Sequence, residues 1–192
     1  MGSRIKIRGF LQWIGVVVIG GVALCPLSWS MENTYSVGAL FGVGAYNNNG
    51  GTNITFGANA NALIVSNVTF GINLTYTPLS NFFYDNTITV MDSSILHLDA
   101  DLVYRFSESR DGLWGGARLG LASYNANSNS GSLTVDYSSL GFEWGPVIGY
   151  DYVIAGNYSI GVDVSYLSSM IKTLNDKDMR GLQLLGAFRY NF

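Results

Sequence analysis

The chain has 192 residues, with 10 Lys and Arg against 13 Asp and Glu, one His and one Cys, for a formal net charge of −3. Without a basic excess or a basic stripe, nucleic acid is excluded as a partner, and a single Cys provides no disulfide scaffold and no cysteine-based metal site. Twenty-four Gly, three Pro and 14% aromatic residues fit neither a disordered chain nor a helical one.

The chain opens with Arg4, Lys6 and Arg8, followed by an apolar run from Phe10 to Leu27. Ser28 and Ser30 then supply small residues at the −3 and −1 positions of a cut before Met31. Residues 1–30 therefore read as a secretory signal peptide, with 31–192 as the single mature domain. The alternative is an uncleaved inner-membrane anchor, since about 18 apolar residues can span a bilayer. Cys25 follows Leu24, where a lipoprotein signal needs a small residue, so no lipidation is expected. Residues 1–30 hold three of the ten basic residues and no acidic one, so their removal leaves 162 residues at net −6.

From Met31 onward no segment keeps a helical period. Alternating runs recur instead, and successive strand side chains point to opposite faces. The first strand runs from about Thr34 to Tyr46, with Tyr35, Val37, Ala39, Phe41 and Val43 on one face and Gly38, Gly42 and Gly44 on the other. After a loop at 46–53, a second strand sets Ile54, Phe56, Ala58 and Ile64 against Thr55, Asn59 and Asn61. Ser66-Asn67 is a tight turn into a third strand, with Phe70, Ile72, Leu74 and Tyr76 opposite Thr69, Asn73 and Thr75. A long connection, Pro78 to Ser93, leads to a fourth strand carrying Leu96, Leu98, Leu102 and Tyr104 against His97, Asp99, Asp101 and Arg105.

The polar turn 107–112 joins this to a fifth strand, Leu113 to Ala122, with Arg118 on its polar face. A loop is expected at 125–132. The sixth strand sets Leu140, Phe142, Trp144 and Ile148 against Glu143, Val147 and Asp151, and Pro146 suggests a bulge or a poorly paired site there. Ala155-Gly156-Asn157 turns the chain into a seventh strand, with Tyr158, Ile160, Val162 and Val164 opposite Ser159, Asp163 and Ser165. A last loop, Ser168 to Met179, precedes an eighth strand in which Leu182, Leu184, Phe188, Tyr190 and Phe192 share a face and Gln183, Arg189 and Asn191 the other.

Eight strands with connections that alternate long and short predict an all-β, eight-stranded antiparallel up-and-down barrel. Periodicity alone does not say whether water or lipid lies outside. Charge does. Asp99, Asp101, Arg105, Arg118, Glu143, Asp151, Asp163 and Arg189 all fall on the face opposite the apolar one. A water-soluble barrel with those charges inside and Leu, Ile, Phe and Trp outside would be inverted. In lipid the arrangement is sensible, because Lys or Arg on the lipid face costs about 2–4 kcal/mol at the midplane whereas lumen charges can pair. Tyr35, Tyr76, Tyr104, Phe106, Tyr150, Tyr158, Tyr166, Tyr190 and Phe192 gather near strand ends, as interfacial aromatic girdles require.

On this face rule, on the connection pattern and on the terminal Phe188-Arg189-Tyr190-Asn191-Phe192, the region after the leader resembles the small eight-stranded outer-membrane barrels of the OmpA transmembrane domain, OmpX and opacity-protein type. The resemblance covers the whole region and implies a bacterial outer-membrane location, with outer-membrane lipid as surroundings. It also implies that Phe188, Tyr190 and Phe192 form the signal read by the barrel assembly machinery, and that no peptidoglycan-binding domain follows Phe192. It says little of activity.

Pairing hairpins symmetrically about their turns sets Arg105 near Trp114 and Asp101 near Arg118. The expected lumen network is an Asp101–Arg118–Glu143 layer and a lower layer of Arg105, Asp151 and Arg189, either plugging the barrel or gating a narrow pore for small solutes or ions. His97, two residues before Asp99, is the only His. Some small outer-membrane barrels are lipid A acyl-modifying enzymes using His with Ser; Ser93, Ser94 and Thr77 are the candidate neighbours, yet His97 faces inward, away from lipid. No phosphate loop, metal cluster or catalytic triad stands out, and no cofactor is implied. The expected role is a non-enzymatic one, structural or adhesive, with a host or surface ligand met by the Asn-, Ser- and Gly-rich loops and by Phe82-Phe83-Tyr84.

Overall fold

The computed structural model describes residues 35–47, 51–79, 82–84, 88–90, 92–107, 111–130, 133–172 and 178–192, all within one compact unit, 33–192. The leader at 1–30, and with it the cut before Met31, lies outside the described residues. Ten strands are present: β1 Tyr35–Tyr46, β2 Gly51–Val65, β3 Val68–Leu79, β4 Phe82–Tyr84, β5 Ile88–Val90, β6 Asp92–Arg105, β7 Gly112–Ser130, β8 Leu133–Ala155, β9 Tyr158–Lys172 and β10 Asp178–Asn191. Eight of them close into an antiparallel barrel in the order β1-β10-β9-β8-β7-β6-β3-β2. β4 and β5 form a separate two-stranded ribbon in the connection between β3 and β6. No helix among the described residues is long and apolar enough to cross a membrane.

Closure comes from the first and last strands, which pair over eleven residues from Ser36↔Asn191 to Tyr46↔Gly181. No edge strand is left, so the ladders of the wall pair its backbone without water along most of their length. Burial alternates residue by residue along β10, with Met179, Gln183, Leu185, Ala187, Arg189 and Asn191 inside and Leu182, Leu184, Phe188 and Tyr190 outside. The other walls obey the same rule. Phe41, Leu102, Leu119, Leu140, Trp144 and Ile148 are all about half exposed or more on the outer surface. A continuous apolar belt of this kind has no place in water but is the ordinary outer surface of a barrel in hydrocarbon.

At the short-turn end, Gly156 takes a positive φ of 52° in the two-residue turn between β8 and β9, a region that L side chains avoid. At the other end the strands run further than expected. The anticipated loop at 125–132 is strand up to Ser130 and again from Leu133, and Ser168 to Lys172 continues β9. Asn and Ser have no preference for strands, but the ladder is already set on both sides of β7: Asn127 pairs with Asp92 and with Asp136. Ala122, Tyr124 and Ala126 also alternate inward and are buried, so packing overrides local propensity.

Pro146 is aligned with Ala117 of β7, and its effect falls on the opposite side. The β8–β9 ladder runs through Trp144↔Ser168 and resumes at Val147↔Ser165 without a shift of register, lapsing at Gly145 and Pro146. That is the poorly paired site, with no bulge. The proline has no N–H to give to β9.

Candidate functional site

With the outer surface uniformly apolar, polar chemistry is confined to the bore, where it is arranged in layers. Nearest the short turns, Asp151 of β8 accepts one hydrogen bond from Arg105 Nη2 at 2.8 Å and another from Arg189 Nη1. Arg105 Nε also donates to Thr69 Oγ1 at 3.3 Å. Arg105, Asp151 and Arg189 thus come together as the hairpin spacing suggests. Trp114, aligned with Arg105 on the neighbouring strand, packs inside with Val103 and Val147.

The next layer belongs to Arg118, buried to 1% exposure. Its Nε donates to Asp101 Oδ1 at 2.7 Å and its Nη2 to Asp101 Oδ2 at 2.9 Å, a bidentate fork between directly aligned residues of β6 and β7. Asn73 Nδ2 donates to the same Asp101 Oδ2 at 2.7 Å. The third partner differs from the expected one. Asp163 Oδ1 lies 3.8 Å from Arg118 Nη2 and Ser165 Oγ 3.2 Å from Nη1, whereas Glu143 makes no ion pair with Arg118. The β7–β8 ladder sets Glu143 opposite Gly120, one inward position beyond Arg118, which aligns with Gly145 instead. Between these two layers lies a cavity of about 20 Å³, lined by Asn59, Asp101, Arg105, Arg118, Asp151 and Asp163. That is room for about one water.

Glu143 belongs instead to a third layer with His97, whose Nδ1 is 2.7 Å from Glu143 Oε1. His97 Nε2 lies 3.0 Å from the Tyr46 hydroxyl, and the two rings stack with centroids 6.0 Å apart. The same hydroxyl accepts from Gln183 Nε2 at 2.9 Å and sits 3.3 Å from Thr77 Oγ1, which is 2.8 Å from Thr55 Oγ1. Asp99 faces the same space, and one ligand atom each from His97, Asp99 and Glu143 lies within 4.8 Å of the other two. Of the neighbours anticipated for His97, Ser93 and Ser94 make no hydrogen bond to its ring and Thr77 reaches it only through Tyr46. Tyr46 and Gln183 escape a search for charges; their signal is parity, since both fall on the face shared by Gly44 and Arg189.

Above this layer the bore turns apolar. Tyr46, Leu79, Ile95, Ala122, Tyr124, Ala126, Ile171 and Met179 form one buried cluster, with Tyr137 packed against it. These residues come from seven of the eight wall strands, so the cluster spans the bore from side to side. Nothing in the alternation separates this cap from the polar layers beneath it.

Phe188, Tyr190 and Phe192 point outward. Tyr158 stacks on Phe188 at 5.8 Å and meets Tyr190 edge-on at 5.3 Å, and Tyr190 meets Phe192 at 5.2 Å, forming an aromatic patch at the short-turn end.

No protein-family profile and no curated protein matches the chain. Solved structures do. Neisserial surface protein A superposes with a TM-score of 0.60 at 17% identity, covering 82% of this chain and 97% of that one. Ail, the attachment invasion locus protein of Yersinia pestis, solved in complex with the heparin analogue sucrose octasulfate, gives 0.56 at 17% identity over 83% and 100%. The outer membrane protein OprG from Pseudomonas aeruginosa gives 0.53 at 11% identity over 84% and 96%. At such identities the likeness is one of fold, and it agrees with the apolar wall and the charged bore. The chain has the fold of the small eight-stranded outer-membrane β-barrels.

Proposed function

We propose that this protein is a non-enzymatic surface barrel, closed to solute flow, that acts through the part of its wall projecting beyond the outer membrane. The observation that carries this reading is the apolar cap over the polar layers: Ile95, Tyr124, Ile171 and Met179 are almost wholly buried across the bore. A pore would need a wetted path, and this apolar cluster lies across it. β7 and β8 are 19 and 23 residues long, against the roughly 9–11 a membrane strand needs. The surplus forms a hairpin beyond the cap, and exposed projections on a rigid scaffold are where binding usually resides.

The Ail complex supports ligand binding by such a barrel, but the charges here favour a different ligand. In and around the long connections Asp85, Asp92, Asp136, Asp176 and Asp178 outnumber Lys172, Lys177 and Arg180. A polyanion such as a heparin-like chain would meet net repulsion. The favoured ligand is a neutral or cationic host or bacterial surface, met by Asn, Ser and Tyr side chains. His97, at 2% exposure inside the bore, has no route to lipid, which speaks against lipid A acyl chemistry. Phe188, Tyr190 and Phe192 serve, in this reading, as the signal for the barrel assembly machinery.

The test pairs two measurements. A non-adherent bacterium displaying the protein should bind host cells, and shortening the β7–β8 hairpin by removal of residues 125–136 should abolish binding while the barrel still folds. In planar bilayers the purified chain should give no conductance steps. Steady single-channel steps would replace this reading with the narrow pore; altered lipid A acyl chains in the displaying cells would replace it with the enzyme.

A further inference from the structure

We infer that the upper bore is a binding site for one divalent transition-metal ion, held by His97 and Asp99 of β6 and Glu143 of β8. The three side chains are 2%, 2% and 0% exposed, and their ligand atoms already lie within 4.8 Å of one another. The chemistry around them lacks a cation. Both carboxylate oxygens of Asp99, Oε2 of Glu143 and Oε1 of Gln183 are buried without any hydrogen-bond donor. When ionised, these carboxylates can only accept, as the amide oxygen always does, and ionised carboxylates buried without donors are costly unless a positive charge joins them.

Charge counting leads to the same atoms. Among the inward-facing charges, Arg118 is taken by Asp101 and Asp163, and Arg105 and Arg189 share Asp151. Three bases thus answer three acids. Asp99 and Glu143 remain, two negative charges, and among the described residues His97 is the base at pairing distance, beside Glu143. A doubly charged ion neutralises the bore.

The surroundings of His97 are those of a ligand. A metal-bound imidazole normally gives its other N–H to a fixed acceptor, which sets the ring's orientation. Here the Tyr46 hydroxyl stands 3.0 Å from Nε2, itself held by Gln183 and Thr77. With Nε2–H given to Tyr46, the Nδ1 lone pair points at Glu143 Oε1 2.7 Å away, an arrangement of two acceptors that a shared cation relieves. Room for Asp99 comes from Gly120 on the facing strand, where any Cβ would lie 2.0 Å from Asp99 Oδ1. One imidazole nitrogen with two carboxylate oxygens suits Zn²⁺, Mn²⁺ or Fe²⁺ rather than Mg²⁺ or Ca²⁺. Beneath the apolar cap such an ion enters as the barrel closes and stays, tying β6 to β8 across the intervening β7. The competing way to hold the same atoms is a single proton shared by Asp99 and Glu143.

Zn²⁺ is the probe. The untagged full chain is folded into detergent micelles with Zn²⁺, passed over a chelating resin and assayed for metal; about one ion per chain should remain. X-ray absorption at the zinc edge should show a single imidazole among light ligands, and because His97 is the only histidine this assigns the site without any substitution. Asp99→Asn and Glu143→Gln should remove the retained ion, and Tyr46→Phe should weaken affinity roughly 10–100-fold. No retained zinc in the wild-type chain overturns the inference in favour of the shared proton. So does zinc without an imidazole signature, or zinc kept by the folded double variant.

Discussion

The two halves of the bore are built on the same alternating wall and filled with opposite chemistry. Toward the short turns, Arg105, Arg118 and Arg189 meet Asp101, Asp151 and Asp163 in balanced, hydrogen-bonded layers. Toward the long connections come an acid-rich cluster at His97 and then the apolar cap around Ile95 and Ile171. The outer surface makes no such distinction, because lipid asks the same of both halves. The inside is therefore where this chain has become individual: one half is stabilised by paired charges, the other by close packing above an acid-rich cluster.

The sharpest way to break this contrast is Arg118→Ala, which strands Asp101 and Asp163 without their guanidinium. A loss of about 3–5 kcal/mol is expected from urea unfolding in lipid vesicles, with part of it recovered when Asp101→Ala is added. In the cap, Ile171→Ala should cost about 2–5 kcal/mol by the same measurement, since it opens a void that nothing fills. Val162→Ala on the outer wall should change little, because acyl chains fill the gap. Leu119→Arg, on the lipid face near mid-wall, should cost about 2–4 kcal/mol, whereas Leu119→Val should be nearly silent. Gly156→Ala forces an L residue to a φ of 52° and should cost about 1–2 kcal/mol, concentrated in the β8–β9 hairpin and visible as faster amide exchange there.

The wall was legible from sequence because its rule is local. A period of two with charges on one side decides inside from outside, and the polar turn at 107–112 sets Asp101 opposite Arg118 by simple counting outward along the hairpin. Counting fails across β7 and β8, because most of the loop expected at 125–132 is strand: the ladder sets Glu143 opposite Gly120, within reach of His97, and Arg118 opposite Gly145. Composition misled at 125–130, where Asn and Ser suggest a loop while the pairing of Asp92 and Asp136 with Asn127 makes strand. The cap was missed for a related reason: Ile171 has inward parity but lies in a segment read as a connection, and Ile95 and Tyr124 sit just beyond the ends given to their strands. Tyr46 likewise sat at the supposed end of its strand.

Two tryptophans of the barrel test the central claim, because they stand on opposite sides of the wall: Trp144 is 51% exposed on the outer face and Trp114 only 5% within the bore. In a chain whose Trp13 and Trp29 are replaced by Phe, Trp114→Phe leaves Trp144 as the reporter and Trp144→Phe leaves Trp114. Folded into vesicles of lipid brominated along the acyl chains, the first variant should lose most of its fluorescence and the second should keep most of it. Equal quenching of both, or stronger quenching of Trp114, would contradict a barrel with lipid at its apolar surface and its charges enclosed.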